Sequence, residues 1–199
     1  MVQKLQTLQE TPSQTAGPFV HIGMVPTYAG LSGIYDLEIG AATFVDGAIG
    51  EIVEISGTIA DGSGALLRDA MFESWQADAN GLFPGQDGAD PKFSGWARVC
   101  ADPESGKWTL RTIKPGRSVN RDGRQQAPHI AIWIVARGVN VGLQSRIYFE
   151  DEDNDSDPVL SRIEHKHRID TLIAKKTGDG TYSFDIRLQG DDETVFFDM

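Results

Sequence analysis

The sequence predicts an all-β chain: a two-sheet antiparallel β-sandwich with an irregular N-terminal arm and little helix. Three observations carry this reading. About eight short segments rich in Val, Ile, Thr and aromatic residues recur along the chain, each bounded by Gly, Pro, Asp or Asn. Little of the sequence between them is long enough for more than a short helix. A length of 199 residues suits a single core of this class, and no repeat of solenoid period or low-complexity linker divides it.

Residues 1 to 50 carry Pro12, Pro18 and Pro26 among scattered glycines and read as an irregular arm with one short helix at most. Such an arm needs a surface to lie on, and a partner chain is the expected one. Residues 51–199 form the sandwich. Ile52 to Ala60 alternates Val53, Ile55 and Ile59 with Glu54, Ser56 and Thr58. The Asp61-Gly62-Ser63-Gly64 turn then predicts a β-hairpin whose second strand ends near Trp75. Phe93 to Cys100 and Lys107 to Ile113 flank a turn at Pro103 and Gly106. His129 to Val135, Leu143 to Phe149, Leu172 to Lys175 and Tyr182 to Leu188 supply the remaining strands. The acidic run Glu150 to Asp157 reads as a loop that enters a short helix after Asp157-Pro158, where proline suits the first turn.

Composition narrows the function. The formal charge of −11 repels phosphate backbones, and the basic residues do not cluster with exposed aromatics, so nucleic acid is not the expected partner. The single cysteine, Cys100, has no internal disulfide partner and reads as a small core residue. The first ten residues hold no continuous apolar stretch, and no apolar run approaches the length of a membrane span. A cytoplasmic location is expected.

The most informative stretch is Pro128-His129-Ile130-Ala131. Residues two apart on a strand share a face, so a His-x-His pair could grip one metal there, but the second imidazole is replaced by a methyl group. By itself, His129 reads as a core histidine satisfied by a hydrogen bond. His165 and His167 have the right spacing, yet they sit in a heavily charged stretch that reads as solvated. The acidic run lacks the EF-hand order of ligands. Ser13, Ser118 and Ser145 have no nucleophile-elbow motif around them.

Three other segments accompany this one: Glu10 to Pro18, Trp75 to Gly81 (Trp-Gln-Ala-Asp-Ala-Asn-Gly), and Leu110 to Gly116 (Leu-Arg-Thr-Ile-Lys-Pro-Gly). In this order, with Arg146 to Asp151 and the Val-Phe-Phe-Asp ending at Asp198, they resemble the intradiol ring-cleaving dioxygenases over nearly the whole chain. The likeness is to the α-type chains of two-chain members that act on protocatechuate. Active members of the family hold a ferric ion with two tyrosinates and two histidines. The corresponding positions here are Phe83, Ser118, His129 and Ala131, so three of the four ligands are lost. The family's cationic arginine falls on Gln126. These five residues would form a vestigial pocket that binds no metal.

The resemblance implies an iron-bearing β chain as partner, carrying the Fe(3+). It also implies a hetero-oligomer of αβ units and cleavage of protocatechuate with O2 to 3-carboxy-cis,cis-muconate. It further implies that this chain lends Thr15, Gly17, Pro18 and Arg137 to the mouth of the partner's site, holding the substrate carboxylate. On a straight strand, Arg137 would lie roughly 25 Å from the vestigial pocket, at about 3.3 Å per residue. Without the family, Arg137 is equally an ordinary strand-end cation, and Gly17-Pro18 a turn. Two rival readings stay open: a free-standing dioxygenase with altered ligands, and a non-enzymatic sandwich that binds or scaffolds.

Overall fold

A computed structural model describes residues 14–198 of the chain. Eleven strands form in order: β1 (Ile52–Ala60), β2 (Met71–Gln76), β3 (Trp96–Cys100), β4 (Lys107–Ile113), β5 (Ser118–Val119), β6 (Gln125–Gln126), β7 (His129–Val135), β8 (Leu143–Phe149), β9 (Ile173–Gly178), β10 (Thr181–Ser183) and β11 (Ile186–Arg187). One α-helix, α1 (Pro18–Met24), and two 3₁₀ segments, Leu160–Arg162 and Lys166–Leu172, complete the described elements.

One layer of the sandwich is built on β1, which is flanked by β4 on one side and by β10 and β11 on the other. The second layer runs β8-β7-β2-β3. Strand β9 belongs to both. Its first residues pair with β8 at Tyr148↔Ile173 and Phe149↔Ala174, and its later ones pair with β10 at Tyr182↔Lys176 and Ser183↔Lys175. The alternating inward residues of the two layers meet in one core, including Val53, Ile55, Ile59, Trp108 and Tyr182 from the first and Phe72, Ile132, Ile134, Ile147 and Phe149 from the second. Phe72 and Trp108 close the space between layers edge to face at 5.0 Å, as do Phe149 and Tyr182 at 5.1 Å. Each such side chain contributes about 1.5–3 kcal/mol by leaving water.

The sandwich is not wholly antiparallel, because β1–β10, β1–β11 and β8–β9 pair in parallel. The physical reason is connection length. Residues 150 to 172 loop out through the two 3₁₀ segments between β8 and β9, and only such a long crossover lets a strand return in the same direction.

The hairpin expected between Ile52 and Trp75 does not form. The Asp61 carboxylate does close the turn, accepting from Ser63 N at 2.8 Å and Ala65 N at 3.0 Å. The ladder then stops at the single bridge Ala60↔Leu66, and the chain crosses to the other layer, where β2 pairs with β3 and β7. The last predicted strand is also split in two. Asp185 Oδ1 takes the Thr58 amide at 2.8 Å, so a side chain replaces a ladder partner between β10 and β11.

The described part of the arm packs on its own domain. Val25 is buried against Met71 and Val135, with Ala16, Val20 and Met24 packed around them, so α1 lies on the outer face of β2 and β7 of its own domain. Arg98 Nη1 donates to Met24 O at 3.0 Å and pins the end of that helix. The outward side of the arm stays apolar nonetheless: Phe19 is 81% exposed and Leu37 76%.

Candidate functional site

The motif segments that flank the vestigial pocket are held together by a polar chain between the layers. Buried Gln76, ending β2, donates to Ile113 O at 2.8 Å and accepts from Thr112 Oγ1 at 2.8 Å. Thr43 of the arm donates to that same Thr112 hydroxyl at 3.0 Å. Two residues beyond Gln76, Asp78 takes the amides of Asn80, Leu82 and Asp90 at 2.9, 3.0 and 2.9 Å, which fixes the loop carrying Phe83. Gly81 follows at φ +81°, and a Cβ there would come within 1.9 Å of Arg117 O. Gly116 is equally constrained, since a Cβ would meet Ala79 O at 2.3 Å. Thus the Asn-Gly and Lys-Pro-Gly motifs meet backbone to backbone, which is why both require glycine.

Around this crossing the structure distributes the five vestigial positions. Ser118 and Gln126 face each other as Cα partners in the β5–β6 ribbon, both buried. Phe83 stacks on Trp75, with ring centroids 5.9 Å apart and planes at 17°. Trp75 is in turn the Cα partner of Ala131. His129 begins β7 and is 7% exposed, with its Nδ1 2.8 Å from Ala127 O. A ring nitrogen facing a carbonyl carries the proton, so Nδ1 is spent on the backbone. Burial, helped by the nearby Arg146 charge, pushes the His129 pKa down to about 4.

Two residues to which the sequence reading gave no role stand beside His129 and Ala131. In the β7–β8 register Tyr148 stands opposite His129 and Arg146 opposite Ala131, so all four share one sheet face. Tyr148 offers the only phenol next to the histidine among the described residues, its ring centroid 5.6 Å away. It does not behave as a tyrosinate. Burial raises its pKa, and its hydroxyl donates to Asp157 Oδ1 at 3.2 Å. Asp157 is fully buried and also takes the amides of Ala127, Val159 and Leu160, so the end of the acidic run is an internal clamp at the entry to the first 3₁₀ segment. The signal for both was available in the sequence: a turn at Gly138 between two adjacent strands pairs residues whose numbers sum to a constant.

The donor set does not fit a ferric ion. One imbedded imidazole, a phenyl ring at 83, a methyl at 131 and a hydroxyl at 118 supply neither the number nor the negative charge such an ion requires. Arg146 adds a fixed positive charge opposite Ala131, which opposes any cation there. No cluster of three or more His, Cys, Asp or Glu side chains suited to a metal occurs among the described residues.

The residues expected at the partner's site lie elsewhere. Strand β7 ends at Val135, so Arg137 is not on a continuing strand but in a turn at the far end of β7 from His129. Its side chain is 77% exposed and only loosely paired with Asp69, at 3.5 Å. It borders a cavity of about 430 Å³ with Leu67, Val139 and Leu188. Thr15 is brought to the same turn: its hydroxyl accepts from Gly138 N at 2.6 Å and reaches Ala136 O at 3.5 Å, bracketing Arg137 on both sides. Gly17 caps the N-terminus of α1, and Pro18 is its first residue. The stretch Glu10 to Ser13 of the same motif lies outside the described residues. Of the other candidates, His165 and His167 are exposed, and buried Ser145 is spent on Val195 O at 2.8 Å. Cys100 is partly buried, which pushes its thiol up to about 12.

Comparison with known proteins agrees with this geometry. Residues 26–190 match the family described as Dioxygenase (Dioxygenase_C). The chain is 45% identical over 200 residues to a Pseudomonas putida protein named protocatechuate 3,4-dioxygenase alpha chain, covering 98% of this chain and 99% of that one. It is 30% identical over 161 residues to the Burkholderia cepacia protocatechuate 3,4-dioxygenase beta chain, covering 73% and 68%. Among solved structures, an intradiol ring-cleavage dioxygenase from Tetranychus urticae superposes with a TM-score of 0.58 at 17% identity, over 78% of this chain and 89% of that one. The motif order, the sandwich with its crossed Asn-Gly and Lys-Pro-Gly loops, and these matches make the chain a member of the intradiol dioxygenase family.

Proposed function

We propose that this chain is the iron-free α subunit of a protocatechuate 3,4-dioxygenase, completing the substrate pocket of an iron-bearing β chain. The ferric site belongs to the partner, which cleaves protocatechuate with O2 between its two hydroxylated carbons to 3-carboxy-cis,cis-muconate. This chain contributes Thr15, Gly17, Pro18 and Arg137 at the mouth of that site, and the outward apolar side of its arm packs on the β chain.

The observation that carries the reading is the Thr15 hydroxyl seated on the Arg137 turn. Two segments more than a hundred residues apart, both assigned to the partner's site by the resemblance, converge on one surface, far along β7 from His129. Arg137 there is an exposed guanidinium whose planar fork matches a carboxylate. In a chain of formal charge −11, an anionic substrate needs such a local cation to offset the general field. The exposed Phe19 and Leu37 give the arm a surface fit for a partner.

Reconstitution tests it. Purified alone, the chain is expected to be colourless and without stoichiometric iron. Combined with its β partner, it is expected to form a stable complex in which ring cleavage far exceeds that of either chain. Stoichiometric iron in the isolated chain, or no gain on mixing, would contradict the proposal.

A further inference from the structure

A second cleft, separate from the Arg137 turn, lies over the outer face of β8. It encloses about 460 Å³ beneath the 3₁₀ segments and the C-terminal stretch, a size that suits a small organic ligand. Its walls are Ile163, Val195, Phe196 and Phe197, and its cations are Arg146, Arg162 and Arg168. Arg168 is committed to Glu193 at 2.9 Å. Among the described residues, Arg146 and Arg162 form no ion pair, although acidic residues outnumber basic ones 29 to 18 in the chain. Glu164 and Asp198 also border the cleft.

Arg146 is the informative residue. One of its terminal nitrogens reaches Tyr148 OH at 3.3 Å, while its buried Nε has no acceptor at all. A buried, charged N–H without a partner is a costly arrangement, and a carboxylate is the group best shaped to relieve it. We infer that this cleft binds a small aromatic carboxylate, its ring on the Phe197 side and its carboxylate at Arg146 and Arg162. The inference stands apart from the role assigned to Arg137, since it uses different residues and no metal.

The probe is 4-bromobenzoate, which lacks the paired hydroxyls needed for ring cleavage and carries an anomalous scatterer. Crystals of the purified protein, with its partner chain where it co-purifies, are soaked and bromine is located. Calorimetry in solution accompanies the soak, with sodium sulfate as the competing inorganic anion. Bromine density in the cleft is expected, together with binding that weakens at least tenfold in Arg146→Gln and in Arg162→Gln. Bromine only at the Arg137 mouth or the partner's site overturns the inference while leaving the proposed function intact. It is equally overturned by binding at crystal concentration only, by binding indifferent to both arginine substitutions, or by sulfate displacing the ring acid at equal concentration.

Discussion

The Thr15 hydroxyl accepts a 2.6 Å hydrogen bond from the Gly138 amide, tying the arm to the turn that presents Arg137. On the proposed function, this contact between segments so far apart in sequence makes the arm part of the substrate mouth. Thr15→Val keeps the shape and removes the acceptor, at a cost of about 1 kcal/mol in local order. The expected outcome is a several-fold rise in KM for protocatechuate in the αβ complex with the same kcat, restored by Thr15→Ser. Steady-state kinetics of the three proteins check it.

Restoring one ligand does not restore a metal site. Ala131→His places a second imidazole two residues from His129, yet it also faces Arg146 across the strand pair and gains no tyrosinate. The variant is expected to bind no stoichiometric iron and to show no tyrosinate charge-transfer colour, as read by metal analysis and visible absorption.

Much of this was legible in the sequence because strands announce themselves by composition. Ile52–Ala60, Lys107–Ile113, His129–Val135 and Leu143–Phe149 stand where the alternation of Val, Ile and aromatics puts them. That Phe83 and Ala131 cannot ligate iron was equally plain, since side-chain chemistry needs no coordinates. What escaped was pairing. Nothing local to Ala60 says that the chain will leave its hairpin after one bridge, and the parallel return of β9 depends on a loop of more than twenty residues. The role of Asp157 was hidden for a related reason: only the fold brings Ala127 and Tyr148 to it. The distance of Arg137 from His129 was reckoned along a straight strand, whereas the ladder ends at Val135 and Arg137 lies in the turn beyond it.

His129 makes stability depend on pH. Its pKa falls from 6.5 to about 4 on folding, so between these values the unfolded chain binds more protons. The stabilisation is therefore complete above pH 6.5 and is lost as pH falls towards 4, a change of about 3 kcal/mol at most. Urea unfolding at pH 7.5 and pH 5 should show that loss in the wild-type chain. His129→Gln should flatten this part of the profile, whatever its overall stability.

Phe19 separates the arm's two faces. At 81% exposure its ring contributes little to its own domain, so Phe19→Ser should change unfolding stability by no more than about 0.5 kcal/mol. The same substitution is expected to weaken αβ association at least tenfold in sedimentation experiments. Unchanged association would place the partner's contact elsewhere.

The central claim is that Arg137 holds the substrate carboxylate for a site in another chain, and one comparison tests it most directly. In an otherwise intact αβ complex, Arg137→Ala removes a charge-assisted contact worth about 1.5–3 kcal/mol, or roughly ten- to a hundredfold in affinity. The KM for protocatechuate is expected to rise by that factor, while the KM for catechol, which has no carboxylate, stays as it was. An equal rise for both substrates, or no change for either, would contradict the account.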